Sequence, residues 1–349
     1  MDNIRNALAT SFRQSRAFYG ALALLLVIYL VYNILHPHGF SSAVLVQNAN
    51  ETAAIAFLAM AQTVPVLLGG LDLSVGAVMT LTSCIASELV HGSPAAILFG
   101  MFVTLLSGTA FGLMNGIIVV YGRLQPIIVT LATGATAIGI ALFIRPKPGG
   151  EIDADLNWAA TNSLRDLVDT YHLFDPDAAW FAPVSWIPVP LITLLVVAFA
   201  VWIPFRKSVT GRTVYAIGSA EGAAYMSGLP INRAKIAAFA LAGFFAACGG
   251  LYLAIQTSSG NADVMQAGAY TLNSIAAVVL GGTSLLGGIG GAIASLVGAC
   301  ILRVISFYFR IVSIDPLLQP LIEGIVLLAA VSLGALRTLR VKNNLDLFR

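Results

Sequence analysis

Apolar residues fall along this chain in long blocks, parted by short polar or glycine-bearing interruptions. A helix that crosses a bilayer needs ~20 mainly apolar residues. Blocks of that kind cover 17–35, 50–69, 75–91, 95–121, 126–144, 187–204, 236–256, 271–285, 290–310 and 317–335. The pattern predicts an all-α fold, a polytopic α-helical membrane protein of about ten transmembrane helices with helix breaks, in a single transmembrane domain over 1–349. Blocks 50–69 and 75–91 lie close enough to form one broken element, and 271–285 is short. The block 17–35 follows an arginine-bearing tail but leads into HPHGF, with no small-residue cleavage site, so it is expected as an uncleaved first helix.

Composition removes the soluble alternative. Hydrophobic residues make up 58% of the chain and charged residues 10%, against about 25% charged in a soluble domain. The net charge of +2 matters less than where the charges sit. Arg5, Arg13 and Arg16 mark the N-terminal tail, Arg206, Lys207, Arg212, Arg233 and Lys235 the segment 205–235, and Arg337, Arg340, Lys342 and Arg349 the C-terminal tail. Arg123 stands alone between the fourth and fifth blocks. The connection 145–186 reverses the balance, with Glu151, Asp153, Asp155, Asp166, Asp169, Asp175 and Asp177 against Arg145, Lys147 and Arg165. The positive-inside rule then predicts both termini and 205–235 in the cytoplasm and 145–186 as a periplasmic loop. Ten crossings satisfy all of these placements. Cys84, Cys248 and Cys300 lie in apolar stretches without ligand spacing and read as packing residues.

The polar residues inside the apolar blocks carry the functional question. In VLLGGLDLSVGAVMTL (66–81), Gly69 and Gly70 end a helix cheaply, and Asp72 or Ser74 is placed to cap the next one. Asp72 is either a wet, structural residue in a capped turn at the inner interface, or part of a broken helix beside the transport path or a gate. The stretch VVLGGTSLLGGIGGAIA (278–294) repeats the plan with Gly281, Gly282, Thr283 and Ser284. Paired glycine-interrupted segments point to the moving or binding region of a transporter; close helix packing explains the later glycines as well. Gln62, Asn115 and Asn273 read as interhelical hydrogen-bonding groups or pathway contacts, Glu51 and Glu88 as solvated outer-end groups, and Arg303 with Glu323 as an internal ion pair. No catalytic set is visible, no phosphate-binding loop of the GxxxxGK(S/T) type occurs, and the His36–His38 pair is weak as a metal site, so no metal and no enzyme activity are expected on this chain.

The segment 206–243 has its own punctuation. Ser219 is placed to cap a short helix, Ala220 to Ser227, which Gly228 and Pro230 stop. Small residues with Tyr225 and Met226 suit either docking into a groove on a cytoplasmic partner or resting on lipid headgroups.

GGLDLSVGAVMTL (69–81), NGIIVVYGRLQPIIVTLAT (115–133), AIGSAEGAAYMSGLPINRAKIAAFALAGFFAACGGL (216–251) and SIAAVVLGGTSLLGGIGG (274–291) resemble the permease subunits of bacterial ABC importers for monosaccharides, the ribose, xylose and galactose group. The likeness runs in order over most of the chain. It implies a multi-pass inner-membrane protein, paired as a homodimer and surrounded by lipid, that works with a cytoplasmic ATP-binding subunit and a periplasmic substrate-binding protein and has no nucleic-acid partner. ATP and magnesium are then bound by the partner ATPase and no cofactor by this chain. The segment holding Ser219, Glu221, Ala223, Ala224, Tyr225, Met226 and Gly228 corresponds to the family's ATPase-coupling region. Gate or pathway candidates are Gly69, Gly70, Asp72, Ser74, Asn115, Asn273, Gly281, Gly282, Thr283 and Ser284. The chain departs from the family where acids commonly precede the IAAVV run, here Thr271 and Asn273, at Glu323, where lysine is frequent, and in its long acidic 145–186 connection. The implied function is uptake of a pentose or hexose. A nucleoside or other sugar-like cargo is the alternative, and an ion-coupled secondary transporter using Asp72, Arg303 and Glu323 is a further one.

Overall fold

The computed structural model describes residues 16–315 and scattered positions between 318 and 332. In chain order the helices are α1 (Arg16–Leu35), α2 (Ser42–Leu67), α3 (Val75–Leu89), α4 (Pro94–Tyr121), α5 (Pro126–Ile144), α6 (Ala154–Thr161) and α7 (Leu164–Thr170). They continue as α8 (Val189–Lys207), α9 (Val209–Met226), α10 (Ile231–Thr257), α11 (Val264–Leu280) and α12 (Ala292–Ile311). Among the described residues the fold is all-helical, with isolated bridges at Gly149–Gly260 and Ser163–Pro188 in place of strands. Six helices, α1, α4, α5, α8, α10 and α12, are long and apolar enough to cross a membrane by length and composition, and α3 and α11 are shorter apolar helices. The block 317–335 and Glu323 lie outside the continuously described residues.

Local chemistry sets the helix ends beyond where hydropathy alone put them. α2 starts at Ser42 because the Ser41 hydroxyl accepts the Val44 N–H at 3.3 Å. α11 starts at Val264, ahead of the block at 271, because Asp263 accepts the N–H groups of Met265 and Gln266. Polar residues before residue 50 and before residue 271 hide these turns from a hydropathy window, although the backbone there is helical.

α2 and α10 form the centre. Every residue of α2 from Thr52 to Leu67 is buried, and α10 packs against α2, α3 and α4. α4 and α10 approach closely because Gly108, Gly112 and Gly116 recur on one face of α4. A methyl on Gly108 would lie 2.7 Å from the Gly243 carbonyl oxygen. Small residues at such a seam give close backbone packing, a source of association where lipid removes the hydrophobic drive. The outward sides of α1, α4 and α5 carry exposed Leu26, Phe102, Leu131 and Phe143. Such a belt suits a bilayer.

The 145–186 connection is folded onto the ends of α2, α3 and α10. Glu151 N donates to Ser87 O, Asp153 N to Val90 O, Asn50 Nδ2 to Thr161 O and Asn157 Nδ2 to Ile255 O. Glu51 and Glu88 keep solvent-accessible side chains, as expected, and are ion-paired as well: Arg310 reaches both Glu51 oxygens at 2.7 and 2.6 Å, and Arg145 lies 2.8 Å from Glu88. Arg303 donates to the Glu51 backbone carbonyl at 3.0 Å.

Candidate functional site

The first glycine break is a two-turn reversal between α2 and α3. Gly69 takes φ +80°, which a side chain resists, and its N–H donates to Val66 O while that of Gly70 donates to Pro65 O. The chain then runs through Leu71–Ser74 into α3. Three other helices each place one polar side chain on this short span. Thr130 of α5 accepts the Leu73 N–H at 2.9 Å, Asn115 of α4 donates to Ser74 Oγ at 2.9 Å, and Thr271 of α11 accepts the Gly76 N–H at 3.1 Å.

Asp72 is 2% exposed, which overturns its reading as a wet interfacial residue. Its role as a direct cap of α3 also changes. Its Oδ1 accepts from the Ser74 N–H at 2.8 Å and the Ser74 hydroxyl at 2.5 Å, and Ser74 makes no side-chain cap bond to α3. The free α3 amide at Gly76 is satisfied by Thr271 instead. Among the described residues no lysine or arginine makes an ion pair with Asp72. Its compensation comes from the two Ser74 donors and from lying at the positive end of α3. Among the described residues the Asn115 amide oxygen and both polar atoms of Gln62 are buried without partners.

The second break, Gly281–Gly291, joins α11 to α12. Gly282, Gly287, Gly288 and Gly290 have positive φ there. Thr283 Oγ1 accepts the Gly291 N–H at 3.2 Å and stands 3.5 Å from Ser295 Oγ, to which α2 Thr63 donates at 2.6 Å. Ser284 Oγ accepts the Leu286 N–H at 3.2 Å. Asn273 lies half-buried on α11 before this break. The two breaks touch directly: Gly288 N donates to Leu67 O at 3.0 Å, and a methyl on Gly69 would lie 3.4 Å from Leu286 O.

The expected short helix past Ser219 is present as the far part of α9, set off by a kink where Ala220 turns extended (φ −164°, ψ 96°) from the preceding turns, which begin at Val209 under a Ser208 cap. Ser219 does not cap it, because its hydroxyl donates back to Tyr215 O at 2.9 Å. Just before the kink α9 seats on both breaks. A methyl on Gly218 would collide with Leu67 O and lie 2.5 Å from Gly288 N, and Tyr215 Oη donates to Gly290 O at 2.8 Å. Beyond the kink Glu221, Ala223, Tyr225, Met226 and Gly228 are exposed, with Met226 85% accessible, whereas Ala224 is buried. Glu221 pairs with Lys235 of α10 at 2.6 Å. A cavity of about 650 Å³ opens beside the junction, lined by Gly69, Gly70, Arg123, Glu221 and Lys235.

The structure thus gathers Asp72, Ser74 and Asn115 into one buried knot, with exposed Gly69 and half-buried Gly70 at its rim, and sets the Gly281–Ser284 turn and the root of the exposed α9 tip against it. Thr130, Thr271, Leu67 and Gly218 complete the arrangement. Sequence offered no sign of Thr130 or of the Leu67 carbonyl. Thr271 stood out where an acid was expected, and Gly218 as punctuation ahead of the short helix. Among the described residues no group of three or more His, Cys, Asp or Glu side chains is placed to hold a metal ion.

A family model described as branched-chain amino acid transport system, permease component, matches residues 44–331. The ribose import permease protein of Haemophilus influenzae is 32% identical over 311 residues, covering 89% of this chain and 90% of that protein. The ribose import permease protein of Bacillus subtilis is 31% identical over 309 residues, covering 88% and 90%. The D-allose transport system permease protein of Escherichia coli is 28% identical over 320 residues, covering 91% of each. No solved structure gives a significant match.

Proposed function

The chain belongs to the family of branched-chain amino acid transport system permease components, and from that premise we propose that it is the membrane permease subunit of an ABC importer whose cargo is a monosaccharide. The observation that carries the cargo class is the alignment over about nine-tenths of both chains with ribose and allose permeases. The buried polar groups agree with it. Apart from Asp72, the knot is built of hydroxyls and amides, and a neutral sugar needs no charged partner inside the bilayer.

The chain is a multi-pass integral protein of the bacterial inner membrane. In the proposed arrangement ten crossings leave both termini and 205–235 in the cytoplasm and the acidic 145–186 lobe in the periplasm, where a substrate-binding protein delivers the sugar. A second copy of the chain completes the pathway, and a separate subunit binds ATP and magnesium. The exposed tip of α9, from Glu221 to Gly228, docks into that subunit. When the ATPase dimer closes, it pushes the tip, and the seat of Gly218 on Leu67 O and Gly288 N transmits the displacement to both helix breaks together. The Ala220 bend makes the tip a lever attached at that seat.

The test is uptake of labelled ribose, allose and fructose into vesicles holding the permease, its ATPase and its binding protein. ATP-dependent accumulation of one of them is expected. Uptake by the permease alone under an ion gradient, or ATP-driven uptake of a branched-chain amino acid and no sugar, overturns the reading.

A further inference from the structure

A second cavity, at the opposite end of α2 from the first helix break, lies where the ends of α2 and α10 meet the α6–α7 lobe. Its volume of about 590 Å³ falls inside the ~300–1,000 Å³ range of small-molecule sites. Every lining residue except Ala43 and Val46 is polar, and none is lysine or arginine.

The two carboxylates on its wall are already engaged. Glu51 is gripped by Arg310 through both oxygens. Asp166 is turned back on Ser163, whose N–H and hydroxyl donate to its Oδ2 at 3.1 and 2.5 Å. An anionic solute would meet these acids without a basic side chain in the lining to offset them.

What the cavity offers is neutral amide chemistry in fixed positions. Asn50 is pinned between Val46 O and Thr161 O, to which its amide donates, and Tyr252, whose hydroxyl donates to its Oδ1 at 2.6 Å. Asn157 and Asn162 are held by one amide N–H each, donated to Ile255 O and Trp158 O, which leaves their carbonyl oxygens to accept. Gln256, at the end of α10, has no hydrogen-bond partner among the described residues and offers donors and an acceptor together. Fixed acceptors beside a free amide match a ligand whose hydroxyls donate and accept at once.

We propose that this cavity is a receiving site for an uncharged polyhydroxylated solute of monosaccharide size, occupied before the solute passes toward the helix breaks. The inference rests on the importer reading for its cargo class, and on the lining for its place. It gives the permease its own point of contact with the sugar.

Saturation-transfer NMR on the full-length permease in nanodiscs tests it directly, with D-ribose, D-allose and D-fructose as probes and L-leucine as the comparison. At least one sugar should receive magnetisation and leucine none. Gln256→Leu and Asn162→Ala should each cut the sugar signal about fivefold or more, as expected for lost hydrogen bonds, and Gln256→Asn should restore part of it. Thermal unfolding of each variant shows whether the fold is kept. No transfer from any sugar, transfer from leucine instead, or undiminished transfer in both folded variants overturns the site. Vesicle uptake separates this from the importer reading. Wild-type sugar uptake that the variants leave unchanged sinks the site alone, whereas failure of the wild type to import any of the three sugars sinks the importer reading.

Discussion

The backbone carbonyl of Leu67, at the last turn of α2, accepts the N–H of Gly288 in the turn between α11 and α12 at 3.0 Å. One peptide hydrogen bond therefore joins helix breaks that lie more than half the chain apart in sequence. Gly218 of α9 is seated against both partners of that bond, with no room for a methyl. A displacement of α9 at this point acts on the two breaks at once.

Gly218→Ala should damage this seat. The added methyl meets backbone on two sides, and overpacking of this kind costs about 1–3 kcal/mol. Transport should fall more than ATPase binding, since the exposed tip is untouched. Gly139→Ala on α5 is the control, because a Cβ there meets nothing within 4 Å and the residue lies outside the tip and the seat. Thermal unfolding with paired uptake and ATPase rates checks both. Equal transport by the two variants would show that the close contact at Gly218 carries no load.

Asp72 should tolerate asparagine far better than leucine. Asn keeps an oxygen for the Ser74 N–H, whereas Leu leaves that N–H and the Ser74 hydroxyl without their acceptor in a buried place. Such orphaned groups cost about 1–3 kcal/mol each. The unfolding temperature of Asp72→Leu should drop clearly below that of Asp72→Asn. Matching temperatures would mean that the charge, and not hydrogen-bond acceptance, is the property in use.

Ala223 and Ala224 are neighbours with opposite surroundings, the first exposed and the second 4% exposed within the core. Ala223→Arg should abolish capture of the ATPase subunit while leaving the unfolding temperature near wild type. Ala224→Arg should lower stability whether or not a partner is present, since it forces a charge into packed surroundings. Binding of purified ATPase to each nanodisc-embedded variant decides between a docking surface and a lipid-resting helix. Undiminished capture by Ala223→Arg removes the tip from the interface.

The helical nature of the chain was legible because long apolar blocks leave few other structures for a backbone that must satisfy its own hydrogen bonds. The glycine pairs at 69–70 and 281–282 were legible as turns, since both sit between apolar runs and include positions of positive φ. The chemistry between them was not. Asp72 looked like a cap from its spacing alone, but the amide that needed capping, at Gly76, is served by Thr271 from nearly two hundred residues away. Pairings at that range depend on how α3 and α11 cross, and no local pattern encodes a crossing. The same limit hid Ser219, whose hydroxyl had a competing acceptor one turn back at Tyr215 O. The kink at Ala220 was legible, since the sequence set a helix boundary there, but not which group would cap it.

Thr271 itself gives the sharpest test of that long-range cap. In the family resemblance an acid is common at this point, and here a neutral hydroxyl accepts the Gly76 N–H while donating to Ala267 O at 3.1 Å. Thr271→Val keeps the shape and removes the acceptor, so the buried Gly76 amide is left bare at a cost of about 1–3 kcal/mol. Thr271→Ser keeps the hydroxyl and should stay close to wild type. Because α3 begins at this amide, amide hydrogen exchange at Gly76 and the first turn of α3 should accelerate in Thr271→Val and stay slow in Thr271→Ser. Exchange that is equally slow in both would show that the α3 start is held by Asp72, Ser74 and Thr130 alone, with α11 merely packed beside it.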